Sequence, residues 1–272
     1  MKRDAMKPNP YENISKLVSS RSRIELLRTL STGPARKHEL QERCDLARST
    51  VHRSLEAMEE AGWVEEQSTR EFELTLTGEL LISHYDTFEE NIEQVTEKKE
   101  LFDQLQDDDV SIPVEVLESS TLATATEYDP HAVLNDFIEA SMLEVDTLRG
   151  MLPIVSPVMN THAARMLEEG TEVELIIDPT VLKNIATKYN DDYMRGIEAD
   201  NFRLLIHPES IDVGIAMFGD LHAMFGAHGS EGHLSAALTG DTIEFFDWVE
   251  TMYNQYRDNA VPVSDFMNEP SA

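Results

Sequence analysis

Arg48, Ser49, Thr50, His52 and Arg53 fall within six consecutive positions, and their side chains suit one kind of chemistry. A guanidinium can bond the two acceptors on the major-groove edge of guanine at once, while hydroxyl and imidazole groups donate to phosphates or base edges. Arg36 and Lys37 lie a short way upstream and Arg70 downstream, as cations that could touch the sugar–phosphate backbone beside a groove or reach an adjacent minor groove. Such a set reads double-stranded DNA only if it projects from an element that fits the groove, so the surrounding elements decide the matter.

The stretch from Pro34 to Leu76 predicts a winged helix-turn-helix. Ser22 followed by Glu25 forms a capping pair ahead of Ile24, Leu27 and Leu30, and Gly33-Pro34 stops that helix. A short helix from Lys37 to Arg43 buries Leu40, and the turn Cys44-Asp45-Leu46 leads to Ser49 as N-cap of a recognition helix over 49–61. There Val51, Leu55 and Met58 form the core stripe. At about 100° per residue Arg53 lies roughly 160° from Val51 and from Leu55, so it must face outward. Gly62 supplies a left-handed C-terminal cap. Trp63-Val64 and the alternation Phe72, Leu74, Leu76 then give two short strands around a turn at 67–70, the wing.

From Thr77 the pattern predicts a helix of almost thirty residues with Leu81, Tyr85, Phe88, Ile92, Val95 and Phe102 at alternating spacings of four and three and Lys99 as a polar intruder. The narrow stripe favours a dimerising spacer; the alternative is a helix packed on its own C-terminal domain. Asp107 to Asp109 and Pro113 read as a solvated hinge. Beyond it, strand-like runs at 122–126, 152–155, 173–177, 202–206, 213–218 and 221–225 alternate with helices opened by Asp129-Pro130, Asp178-Pro179 and the Asp241/Glu244 pair. The expected fold is therefore α+β: a winged helix-turn-helix over 1–77, a connecting and dimerising helix over 78–110, an α/β regulatory domain over 111–260 and a tail over 261–272.

Charge supports this division. The 272 residues carry a net charge of −30, with 13 Lys+Arg against 14 Asp+Glu in residues 1–80 and 9 against 38 thereafter. The cations are kept where phosphates would need them. Acidic residues spread throughout, with Arg outnumbering Lys, read as a surface adapted to a salt-loaded cytoplasm, a halophilic trait. In strong salt counterion release contributes little, and affinity must come from short-range bonds and shape. No run of 18 or so apolar residues and no signal peptide is present, so a cytoplasmic location is expected. The single Cys44 excludes an intramolecular disulfide and a cysteine-based metal cluster.

Several chemistries lack their residues. A phospholipase-type histidine nucleophile needs a lysine two positions on, but Met224 follows His222 at that spacing and no lysine occurs after Lys188. His222, His228 and His233, with Glu231 close by, fit neither one helix face nor a compact zinc motif, so no metal is expected. Gly226 to Gly229 lacks the lysine and helix of a phosphate loop, and no cofactor is called for. If an effector binds, the carboxyl ends of parallel strands are the expected place, which selects Ser156, Asp178 and His207. Asp178 before Pro179 reads better as a helix cap.

The run RSTVHRSLEAMEEAGWV from Arg48 to Val64 resembles the recognition helix of archaeal, haloarchaeal-type winged-helix transcriptional regulators. LPIVSPVM from Leu152 to Met159 and TIEFFDWVETMYNQYR from Thr242 to Arg257 resemble the C-terminal domain of methanogenesis-type regulators. That resemblance implies an effector-sensing or dimerising module, distantly similar to the sensor domains of archaeal sugar regulators and to the phospholipase D fold. The expectation is a homodimeric, non-catalytic transcriptional regulator that binds double-stranded DNA, with a small-molecule effector of unstated class. The alternative is an enzyme or a protein-interaction module carrying an accessory winged helix.

Overall fold

A computed structural model describes residues 9–105, 110–154, 156–188, 199–228 and 234–268. The fold is mixed α and β, and the chain divides into two compact units, 1–92 and 93–272.

The first unit begins with α1 (Pro10–Val18) and α2 (Arg21–Ser31). α1 was not predicted; Asn9 caps it and Leu17 anchors it. α2 starts at Arg21 without a side-chain cap bond, so the Ser22/Glu25 capping pair is not made: Glu25 instead accepts from Arg21 at 3.1 Å, one turn earlier. β1 (Ala35–Arg36), α3 (Lys37–Cys44), α4 (Arg48–Glu60), β2 (Val64–Glu66) and β3 (Glu71–Leu74) follow. Their strands form an antiparallel sheet ordered β1, β3, β2. Val51, Leu55 and Met58 are buried with Leu26, Leu27, Leu40, Trp63 and Phe72 in one core. Leu76 is not the last strand residue. It opens α5 (Leu76–Glu97) and is exposed, because Thr75 has already turned the chain by donating from its amide to Trp63 O and from its hydroxyl to Gly62 O.

The long helix is shorter than its pattern predicts. α5 stops at Glu97, and α6 (Lys99–Gln104) restarts after Lys98 adopts φ −95°, ψ 12°. The break turns Lys98 inward, 4% exposed with Nζ 2.6 Å from Gln94 Oε1, while Lys99 faces solvent beside Asp103. The stripe accordingly divides. Leu81 and Tyr85 pack on the first unit's core, Phe102 packs on that of the second, and Phe88, Ile92 and Val95 are exposed.

The second unit is a sheet covered on both faces. Its strands are β4 (Thr121–Thr124), β5 (Thr147–Met151), β6 (Glu172–Ile177), β7 (Phe202–Ile206), β8 (Val213–Phe218), β9 (His222–His228), β10 (Leu234–Gly240) and β11 (Val261–Pro262). Among the described residues the order is β11-β7-β6-β5-β8-β9-β10-β4, with β5, β6 and β7 parallel and the remaining pairings antiparallel. α6, α7 (Val114–Glu118) and α11 (Ile243–Arg257) bury one face; α8 (Ala132–Ala140), α9 (Pro157–Glu168) and α10 (Pro179–Lys188) bury the other.

The run predicted as a strand over 152–155 does not pair that way: the strand is β5, five residues earlier, and Val155 lies outside the described residues. Ser156 and Pro157 open a helix, which requires the chain to leave the sheet first. Asp129-Pro130 likewise precedes a turn, and α8 starts only at Ala132. Part of the predicted tail is ordered, since β11 pairs with β7 and α12 (Val263–Asn268) follows it.

Candidate nucleic-acid interface

α4 begins one residue before its predicted cap. Thr50 and Val51 both donate to Ala47 O, so Ala47 is the N-cap and Ser49 sits inside the first turn. Gly62 ends the helix at φ +74°, where Trp63 N donates back to Met58 O at 2.9 Å. That left-handed residue swings Trp63 into the core and starts β2.

Burying Val51, Ser54, Leu55 and Met58 leaves the opposite face to Arg48, Ser49, His52 and Arg53, all exposed, with Thr50 half-buried at the edge. Arg53 Nε lies 3.3 Å from Ser49 O on its own helix, so much of its guanidinium remains available. His52 faces Glu56 at 3.4 Å, a pair that is ionic only when the imidazole is protonated.

Arg36 and Lys37 stand at the β1–α3 junction. Arg36 is exposed and 3.7 Å from Glu71, and its amide donates to Glu39 at 2.7 Å. That bond holds the Glu39 carboxyl below the usual range. Lys37 is exposed with its ammonium 5.0 Å above the Phe72 ring. Arg70 occupies the β2–β3 turn at φ +63°, exposed, its amide donating to Gln67 O. The predicted cations thus stand on three elements of one small unit: the exposed face of α4, the start of α3 and the tip of the hairpin.

The candidate effector residues are used otherwise. Ser156 caps α9 by accepting from Met159 N at 3.4 Å. Asp178, 5% exposed, accepts from Thr180 and Val181 amides at 2.7 and 2.8 Å and from Ile211 N at 3.3 Å. His207 is adjacent, its amide bonded to Ile177 O and its Nδ1 3.1 Å from Glu209 O. The carboxyl ends of β6 and β7 therefore bring Asp178 and His207 together as caps and turn partners. Toward the amino ends of β6 and β7 stand Glu174 and Arg203, joined by Arg149 from β5 and Arg257 from the end of α11, a group outside the predicted set. The signal of its strand members in the sequence is a charge inside each of the runs TLRGM, VELII and FRLLI.

His222 is half-buried, and desolvation pushes its imidazole below the usual range despite Asp241 and Asp136. Among the described residues no three His, Cys, Asp or Glu side chains group as a metal site. Glu231, His233 and the His228 side chain lie outside the described residues. No helix among the described residues is long and apolar enough to cross a membrane.

Residues 130–259 match the family model described as methanogenesis regulatory protein FilR1, middle domain, and residues 11–97 match that of the HVO_A0261 N-terminal domain. The chain is similar to both. Neither match spans half of it, and no curated protein matches it. Among solved structures, an archaeal chromatin protein, TrmBL2, aligns over 93% of this chain and 99% of its own at 12% identity and TM-score 0.39. A phospholipase D family member, Nuc from Salmonella typhimurium, aligns over 53% and 97% at 8% identity and TM-score 0.39. Phosphatidylserine synthase from Haemophilus influenzae aligns over 53% and 39% at 16% identity and TM-score 0.40. At such scores these likenesses decide nothing.

Proposed function

We propose that the chain is an archaeal, non-catalytic regulator of transcription whose first unit is a winged helix-turn-helix. α4 docks in the major groove, Arg70 on the wing reaches the adjacent minor groove, and two copies pair along α5 to read two half-sites. The observation that carries the reading is the exposed face of α4, where Arg48, Ser49, His52 and Arg53 stand opposite the buried stripe of Val51, Ser54, Leu55 and Met58. The similarity of residues 130–259 to a domain of a regulatory protein supports it, as does the near-neutral charge of residues 1–80 in a chain of net −30. A haloarchaeal origin accounts for that acidity.

The test is selection from a random duplex library in molar KCl, followed by a shift assay with wild type and Arg53→Ala. Wild type should enrich a two-fold symmetric site and Arg53→Ala should bind it more weakly. Equal binding by both, or none by either, removes α4 from the role.

A further inference from the structure

The parallel register places Arg149 beside Glu174 and Glu174 beside Arg203. These three share a face with Met151, Ile176 and Leu205, buried in the core one β-repeat further along the strands. That face therefore changes from apolar to charged over about 7 Å. α11 crosses the charged end, contributing Tyr253 and Arg257. Glu174 Oε1 accepts from Tyr253 and from Arg257 Nε at 3.0 and 2.6 Å; Oε2 accepts from Arg257 Nη2 and Arg203 Nη1 at 3.1 and 3.0 Å. Burial alone would push this carboxyl up, but the bonds from Arg257, Arg203 and Tyr253 outweigh it and hold it below the usual range.

Four donors saturate the carboxylate, which has about four lone-pair sites. Arg149 bonds Glu250 at 2.5 Å. Three guanidiniums carry about fifteen N–H donors between them, four of which make the bonds above, and all three arginines line a cleft of about 370 Å³. Arg203 and Arg257 are 66% and 42% exposed in their side chains while Glu174 is 12% exposed: a nearly buried anchor fixes two open forks. Orienting donors before a ligand arrives lowers the entropy cost of binding. Three of the nine cations after residue 80 gather here.

The cleft is also lined by Glu172 and Asp200. A dianion would meet those two carboxylates, and a simple cation would meet three arginines. A molecule bearing one charge of each sign satisfies both, and the volume lies at the small end of ligand pockets.

We propose that this cleft binds a small zwitterion of the α-amino-acid class, its carboxylate on the Arg149, Arg203 and Arg257 guanidiniums and its ammonium on Glu172 and Asp200. The assignment is independent of DNA binding by the first unit.

The test is calorimetry and thermal unfolding of the full chain in molar KCl without DNA, with the twenty amino acids singly at millimolar concentration, their N-acetyl and amide derivatives, succinate and inorganic phosphate. At least one amino acid should bind and raise the unfolding midpoint. Removing either of its charges should weaken binding by about tenfold or more. Arg203→Ala should weaken binding similarly and, being at an exposed position, should fold; Asn254→Trp should block the cleft without altering a charge. The inference is overturned if no amino acid binds, if either derivative matches its parent, if succinate or phosphate binds instead, or if both variants bind as wild type.

Discussion

Arg28 on α2 and Asp86 on α5 are 58 positions apart, yet Nε of one lies 2.8 Å from Oδ1 of the other, and Arg28 Nη2 reaches Glu89 at 2.5 Å. The guanidinium also stands 5.8 Å from the centre of the Tyr85 ring. One arginine thus ties the helix behind the candidate recognition surface to the long helix that follows it.

This clamp predicts a pH dependence. The bond from Arg28, then that from Tyr85, holds Glu89 below its usual value. A carboxyl depressed on folding contributes stability that is present above its unfolded value, near 4.5, and is lost as pH falls through the lower folded value. In Glu89→Gln the acid limb of stability against pH should flatten. Because these side chains are about two-fifths exposed, Arg28→Ala should cost only about 1 kcal/mol at neutral pH by chemical denaturation.

Gly78 on α5 has no room for a side chain. A Cβ there would lie 2.0 Å from the Trp63 carbonyl oxygen, which is backbone and cannot swing aside. Gly78→Ala should therefore lift α5 from Trp63 and destabilise the first unit by about 3 kcal/mol. An unchanged unfolding midpoint would show that α5 shifts at no cost.

Lys98 tests the opposite sign. Burial lowers its affinity for a proton, and the pull of Glu97 does not restore it. Removing a desolvated charge while keeping the stem should stabilise, so Lys98→Met should raise stability by about 1 kcal/mol. Between the lowered folded value and the unfolded one the folded state holds fewer protons, so wild-type stability should rise with pH across the alkaline range and that slope should shrink in the variant.

Within the proposed DNA reading, the arginines should separate by role. Arg53→Ala should cost about 1–3 kcal/mol of affinity and relax the preference at one base pair. Arg36→Ala should weaken all sequences alike and reduce the salt slope by about one unit. Binding titrations at several KCl concentrations distinguish the two.

Phe88 is 57% exposed on the proposed pairing face of α5. Phe88→Glu should leave the monomer's stability within about 0.5 kcal/mol but abolish self-association, as read by light scattering across a concentration series. A wild type that is monomeric throughout that series would remove the pairing from the reading.

Elements with a local signal can be read from the residue order alone. The stripe Val51, Leu55, Met58 and the glycine at 62 are enough to specify α4, its end and its outward face, because each contact lies within two or three turns of the others. The apolar runs of β6, β7 and β8 are legible for the same reason. Tertiary structure decided what depends on distant partners. β1 is two residues long and exists because Ala35 meets Phe72 across the sheet; β10, a run of small residues, is a strand because β9 and β4 flank it. Lys98 rather than Lys99 turns inward because the helix breaks where a separate core begins. The row Arg149, Glu174, Arg203 arises from parallel pairing of segments about 25 to 30 residues apart, and pairing between remote segments leaves no periodic trace in any one of them.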